Sequence, residues 1–288
     1  AGSPYLLDVV PAHTVIEPLQ KGKVLLHAGP PIKFEQMVDP IQGACIGAVL
    51  FEGWAKDHAE ALALLEAGGF DKTEDTTKVT YKLANDVSGW FDFIKFHTDN
   101  KLKEKFEKCR INSINFDIVN KAFIGITWGI EGLEGSRILN STLTENPTGY
   151  VLGERIKSLD TNIKINGVNK SAIIKSMTLA INNNLDADNY GFGSLYRQDI
   201  DVSDAVSIEL DATFSFDVSE YDSQLSVLEN NTTIPVEINL GTINIKLGAL
   251  SLSDVSAPAS SKGKIELSIK GTVHNNGLVE AVIIEHLK

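Results

Sequence analysis

The run AVSIELDATFSFD at 205–217 constrains the fold of this chain more than any other. Val206, Ile208, Leu210, Ala212, Phe214 and Phe216 fill one set of alternate positions. Ser207, Glu209, Asp211, Thr213, Ser215 and Asp217 fill the other. Successive side chains of a strand point to opposite faces, so this alternation predicts a long antiparallel strand with one buried and one wet face. The same period of two recurs at Ile114, Phe116 and Ile118, and again at Ile124, Ile126, Trp128 and Ile130. Further strands are predicted near 234–240, 243–252, 263–273 and 279–285. A short helix is predicted at 219–229, with Ser219 as N-cap and Asp222 at its third position. The fold class expected from residue 70 onward is mainly β, a duplicated antiparallel sandwich or barrel with short helices.

The first 69 residues have another texture. They hold 6 of the 9 prolines, then an alanine- and leucine-rich run that predicts a helix from about Cys45 to Ala67, stopped by Gly68-Gly69. Val24-Leu25-Leu26 reads as a short buried strand, so a small α/β-like segment is expected ahead of the β region.

Charge excludes one class of function. The formal net charge is −12, and residues 1–69 and 70–288 are both acidic. A duplex-binding surface needs lysines and arginines to release counterions, and neither part supplies a cluster of them. The mixed-sign KLKEKFEK at 101–108 reads as a solvated edge. Cys45 and Cys109 are too few for a disulfide framework or a cysteine-rich zinc site. No apolar run is long enough to span a membrane, and no basic-then-apolar leader opens the sequence. A cytoplasmic origin is therefore expected, and a secreted adhesin or carbohydrate-binding module is disfavoured.

The β region repeats itself. CRINSINFDI at 109–118 matches LGALSLSDVS at 247–256, and GITWGIEG at 125–132 matches KIELSIKG at 264–271, with Ile126 set against Ile265. Upstream, ALALLEAGG at 61–69 sits where QLSVLENN sits at 224–231. Two copies of one β unit are the economical reading, a partial one at 70–137 and a complete one at 150–288. The polar ILNSTLTENPTG at 138–149 joins them.

Candidate chemistry is sparse. Gly29, Gly43 and Gly47 could expose backbone N–H groups to an anion, with His27, Glu35, Asp39 and Cys45 as acid-base or nucleophilic groups. On spacing alone, turn and packing roles are the better account of these residues. His13, His58, His97, His274 and His286 show no ligand spacing. Asp186, Asp188, Asp199, Asp201 and Asp204 lack the twelve-residue loop of a calcium hand. No catalytic, cofactor-binding or metal residue is assigned, and no cofactor is expected.

Two resemblances cover the chain. The stretches VTYKLANDV, FEKCRINSINFDIVNKAFIGITWGIEGLEG, SMTLAINNNLDADNYGFGS, DVSDAVSIELDATFSFDVSEYDSQLSVL and KGKIELSIKGTVHNNGLVEAVIIE follow one another as in the tail tube (major tail) proteins of long-tailed bacteriophages, which residues 70–288 resemble. This resemblance implies a non-enzymatic virion subunit, assembled in the bacterial host cytoplasm, that polymerises with itself into stacked rings. DNA and a tape-measure protein would pass through the bore without specific binding, and tail-tip and head–tail connector proteins would meet its ends. Glu209, Asp211 and Asp217 are then expected to face the lumen, and a doubled unit suggests three chains per ring in place of six. Residues 5–69, with LLHAGPPI and GACIGAVLFEGWA, instead resemble the N-terminal region of the oxamate carbamoyltransferase large-subunit family. That implies, as the alternative, a fragment of an enzyme acting on a small amide acid.

Overall fold

The computed structural model describes residues 6–9, 12–18, 34–36, 48–54, 64–84, 87, 89–97, 102–122, 124–138, 158–186, 189, 192, 198–258, 265–275 and 280–288. Before residue 65, at 93–105 and at 137–138 only the backbone path is described. The first strands are β1 (Leu6–Val9), β2 (Ala12–Pro18), β3 (Phe34–Gln36) and β4 (Ala48–Trp54). Helix α1 (Leu64–Ala67) leads into β5 (Phe70–Glu74), β6 (Lys78–Leu83), β7 (Phe91–His97), β8 (Leu102–Val119) and β9 (Gly125–Ile138). A 3-10 turn (Ser158–Asp160) precedes β10 (Thr161–Ile165), β11 (Val168–Asn169) and β12 (Ile174–Asn182). A small pair, β13 (Leu185–Asp186) and β14 (Asp201–Val202), precedes β15 (Ser207–Ser215) and helix α2 (Val218–Glu229). The chain ends in β16 (Thr233–Leu240), β17 (Ile243–Ser256), β18 (Glu266–Val273) and β19 (Val282–Leu287).

The fold is mainly β and antiparallel, as the period-two pattern predicts. Its layout follows from two strands too long for one neighbour on each side. β8 has 18 residues. One of its edges pairs with β9 from Lys103 to Asp117. The opposite edge is divided: β7 takes Leu102 to Cys109, and β12 takes Ser113 to Val119. β17, with 14 residues, forks in the same manner. β16 covers Ile243 to Ser251 on one edge, while β19 takes Ile243 to Leu247 and β18 takes Leu250 to Ser256 on the other. β15 joins β18 to β12 and so connects the forks. β4 and β3 extend the sheet past β9, and β2 and β1 extend it past β7. β6 and β5 flank β19, and β10 and β11 flank β16.

One apolar cluster runs through both forks, from Leu65 through Phe116, Trp128, Leu179 and Phe214 to Ile284. These side chains come from the alternate positions of their strands, and Phe214 is fully buried. A buried polar side chain stitches the β8 fork where its register with β9 shifts, between Ile111 and Ser113. Asn183, fully buried, donates from Nδ2 to the Gly68 carbonyl at 2.9 Å and to the Ile111 carbonyl at 2.8 Å. The Asn183 N–H donates to the Asn112 carbonyl at 2.7 Å, and the Asn112 side chain accepts from the Leu185 N–H at 3.0 Å.

Three expectations are corrected. The helix from about Cys45 to Ala67 is replaced, among the described residues, by strand β4 and the four-residue α1. β4 lies along β9, Ala48 opposite Glu131 through Trp54 opposite Gly125, and this ladder overrides the local helix preference. No α/β unit forms in the described part of the segment, and Val24-Leu25-Leu26 lies outside it. The helix after β15 is present, but its N-cap is Asp217, not Ser219. The Asp217 carboxylate accepts from the backbone N–H groups of Ser219 and Glu220. Phe216 before the cap and Tyr221 in the first turn bring their rings to 6.1 Å, a hydrophobic staple. Finally, Ile265 precedes β18 and is partly exposed, so it does not take the place in the sheet that Ile126 takes in β9.

β19 is held from both sides by one carboxylate. Glu285 accepts from Lys78 of β6 at 2.5 Å and from Lys246 of β17 at 2.7 Å. Burial pushes its pKa up, but the two lysines outweigh that and hold it below the ordinary value of 4.5. Replacing Asn183 with Ala should cost about 1–3 kcal/mol for each carbonyl left unpaired, read from urea denaturation. A depressed carboxyl pKa adds stability above the unfolded value, and that stability is lost as pH falls through the folded one. Glu285→Gln should therefore lower the melting temperature at neutral pH and leave less acid sensitivity below about pH 4.5 than in the unsubstituted protein.

Candidate assembly face

The wet face of β15 continues across its neighbours, because residues directly opposite in an antiparallel pair share a side of the sheet. One row runs Ser251, Thr272, Glu209, Ala180, Asn115 and Thr127 across β17, β18, β15, β12, β8 and β9. The next row runs Asp254, Lys270, Asp211, Thr178, Asp117 and Gly125 across the same strands. The reverse side of these strands carries Leu210, Leu179, Phe116 and Ile126, all buried. Every residue of the two rows is polar or small, and carboxylates outnumber the single ammonium.

Lys270 lies opposite Asp211, with Nζ 3.0 Å from Oδ2. Its hydrogen bond and charge interaction with Asp211 raise its pKa, helped by Asp254 and Glu209. Thr178 donates to Asp117 at 3.2 Å. Thr178, Glu209, Asp211, Ser253, Lys270 and Thr272 line a shallow concavity on this face. Gly271 lets β17 and β18 approach: a Cβ there would overlap the Ser251 carbonyl oxygen and crowd Leu250 at 2.9 Å. At Gly129, a Cβ would overlap the Ser113 hydroxyl.

Glu209 and Asp211 thus sit together on the polar face of β15, while Asp217 lies beyond the strand as the cap of α2. Lys270, Asp117 and Asp254 were not singled out by the sequence. Their signal is cross-strand register, which becomes visible only once the pairings are known. The other candidates do not converge. His27, Gly29, Asp39, Gly43, Cys45, Gly47, His58 and Asp188 lie outside the described residues, and Glu35 is placed only as backbone in β3. Cys109 and His286 are buried in different strands. Asp186 and Asp201 pair across β13 and β14, and Asp199 and Asp204 accept from their neighbours' N–H groups. Among the described residues no three His, Cys, Asp or Glu side chains gather as metal ligands, and no helix is long and apolar enough to cross a membrane. Trp90 stacks under the Arg110 guanidinium at 3.8 Å, and Trp128 is core.

The described strands thus form an antiparallel β framework with a broad polar face. Its family follows from comparison. The family model described as phage tail tube protein matches residues 43–273, and this chain belongs to that family. A 65-residue stretch is 60% identical to the oxamate carbamoyltransferase subunit AllG of Escherichia coli (strain K12), covering 23% of this chain and 16% of that protein. A 62-residue stretch is 45% identical to the uncharacterized protein YahG of the same organism, covering 22% of this chain and 12% of that one. The chain spans less than a fifth of either curated relative.

Gly271→Ala should destabilise the fold by about 1–3 kcal/mol, because the obstructing atom is backbone and cannot rotate away. Thermal melting of the purified variant tests this.

Proposed function

We propose that this chain is a subunit of a phage tail tube, polymerising with itself into stacked rings that form the DNA conduit of the virion tail. The observation that carries the reading is the acidic, hydroxyl-bearing sheet face with Glu209 and Asp211 at its centre. Turned toward a bore, such a face repels a phosphate backbone and gives it no lysine cluster on which to release counterions. DNA and the tape-measure protein then pass without specific binding, and tail-tip and connector proteins meet the tube ends. Asp217 lies past the end of β15 as the cap of α2, so the lining is assigned here to Glu209 and Asp211. The subunit works as a non-enzymatic scaffold assembled in the host bacterial cytoplasm.

The identity with a carbamoyltransferase subunit favours a second reading, a fragment acting on a small amide acid. A stretch covering 16% of that protein brings little of its surface, and the backbone of β3 and β4 serves the sheet. Carbamoyl transfer from carbamoyl phosphate to oxamate, lost in His27→Ala, would establish that reading.

Negative-stain images of concentrated protein should show rings or tubes, and a uniform monomer would end the proposal. Tubes of Glu209→Lys/Asp211→Lys should retain double-stranded DNA at low salt and release it at high salt, while unsubstituted tubes retain none. Equal DNA retention by both would remove the lining role from these two carboxylates.

A further inference from the structure

With β7 set against β16 and β9 against β18, the forks differ in that β19 shares an edge of β17 with β18, and in one edge that only β8 has filled. On β8, the edge beyond β7 is filled by β12, which pairs with Ser113 to Val119. On β17, the corresponding edge beyond β16 runs from Leu252 to Ser256, and no described strand pairs with it. Ser253 and Asp254 in that stretch are exposed. Unpaired backbone donors and acceptors on a sheet edge are a template for another strand.

The order of strands says which one. From β17 the sheet runs β18, β15, β12, β8, β9, β4, β3. This is one four-strand pattern used twice. β8, β9, β4, β3 repeats β17, β18, β15, β12, each beginning with a forked strand and followed by its hairpin partner. A positive-φ residue also stands two positions past each helix, Gly69 after α1 and Asn231 after α2, just ahead of the next strand. In this pattern β3 holds the place of β12, and β12 is the strand that fills the edge of the next fork. β4 is the only partner of β3 among the described pairings.

We infer that β3 of one copy pairs antiparallel with the Leu252–Ser256 edge of β17 in a second copy of this chain. Strand direction agrees with this. Every pairing between neighbours in the series is antiparallel, and the series holds an even number of strands, so β3 and β17 run in opposite directions. Copies placed head to tail therefore continue the ladder without reversing it. The junction is heterologous, β3 on one side and β17 on the other, so it closes into a ring or winds into a helix and does not stop at a dimer. It is strand addition of the kind that joins separate chains through main-chain hydrogen bonds. The polar rows then pass from one copy into the next.

This inference rests on the tube reading and deepens it, and cysteine pairing separates the two. In a Cys45→Ser background, single cysteines at Phe34, Glu35 or Gln36 are combined with single cysteines at Ser253, Asp254 or Ser256. A disulfide needs Cβ atoms about 3.5–4.5 Å apart, so only the combinations in register should react. At least one double variant should give a ladder of covalent multimers under mild oxidation, abolished by reductant, while each single variant stays monomeric on a denaturing gel. Rings seen by negative stain with no ladder in any combination would overturn the β3–β17 junction and leave the assembly reading standing. Absence of both rings and ladders would overturn the two together. Circular dichroism of each variant confirms that the fold is intact before oxidation.

Discussion

Backbone hydrogen bonding along two overlong strands is the constraint on which the rest of this structure depends. A strand of 18 residues is about 60 Å long at its usual rise, and each residue carries a donor and an acceptor that burial makes costly to leave unpaired. No neighbour among the described strands spans the whole of β8 on its divided edge, so that edge must pass from β7 to β12. The register with β9 shifts at Ile111–Ser113, between the spans of β7 and β12, and there the Ile111 carbonyl and the Gly68 carbonyl both face a buried side chain. Asn183 is one of the few side chains that can answer, since a single amide nitrogen has two protons for two carbonyls. The fork, the bulge and the buried asparagine meet at one place along β8.

The polar face follows from the same geometry. Once β8, β12, β15 and β18 are in register, their alternation fixes which residues form a row, and Lys270 falls beside Asp211 without any local sequence signal. The lysine is surrounded by Asp211, Asp254 and Glu209, which raise its pKa. It softens the charge of the face without reversing it. Hydroxyls and amides such as Thr178, Asn115 and Thr272 fill the positions between, so the face stays hydrated. A hydrated, weakly anionic surface has little attraction for polyanions and little apolar area to retain a passing protein.

The strands were legible in the sequence where both faces left a mark. The alternation from Ser207 to Ser215 needed no tertiary information, and neither did Ile114 to Ile118 or Ile126 to Ile130. The end of β15 was harder. Asp217 continues the alternating pattern, yet its carboxylate serves the next helix, because a cap residue adopts the same extended backbone as a strand residue (φ −141, ψ 134 here). Pairing partners were not legible at all. Nothing local to Asp211 indicates that Lys270 lies across from it, and nothing in Gly271 indicates a carbonyl at its α-carbon. Glu35, an acid-base candidate by type, is placed only by its backbone, as a residue of β3.

Ala48–Trp54 shows how far tertiary context can overrule composition. Read alone, the alanines, leucines and glutamates around it favour a helix, and the stretch resembles part of an enzyme subunit. Beside β9, the same backbone meets a row of donors and acceptors from Gly125 to Glu131 that would otherwise lie open. A sheet edge reads main chain before side chain, so it accepts any segment that can extend and that places no proline in the ladder. AVLFEGW satisfies both conditions, and its valine, phenylalanine and tryptophan suit a pleated surface better than a helix. The family match begins at residue 43, within the stretch that resembles the carbamoyltransferase subunit and ahead of the first residue that pairs with β9, Ala48. At this edge the main chain of β9 decides the conformation, and the helix preference of the surrounding composition yields to it.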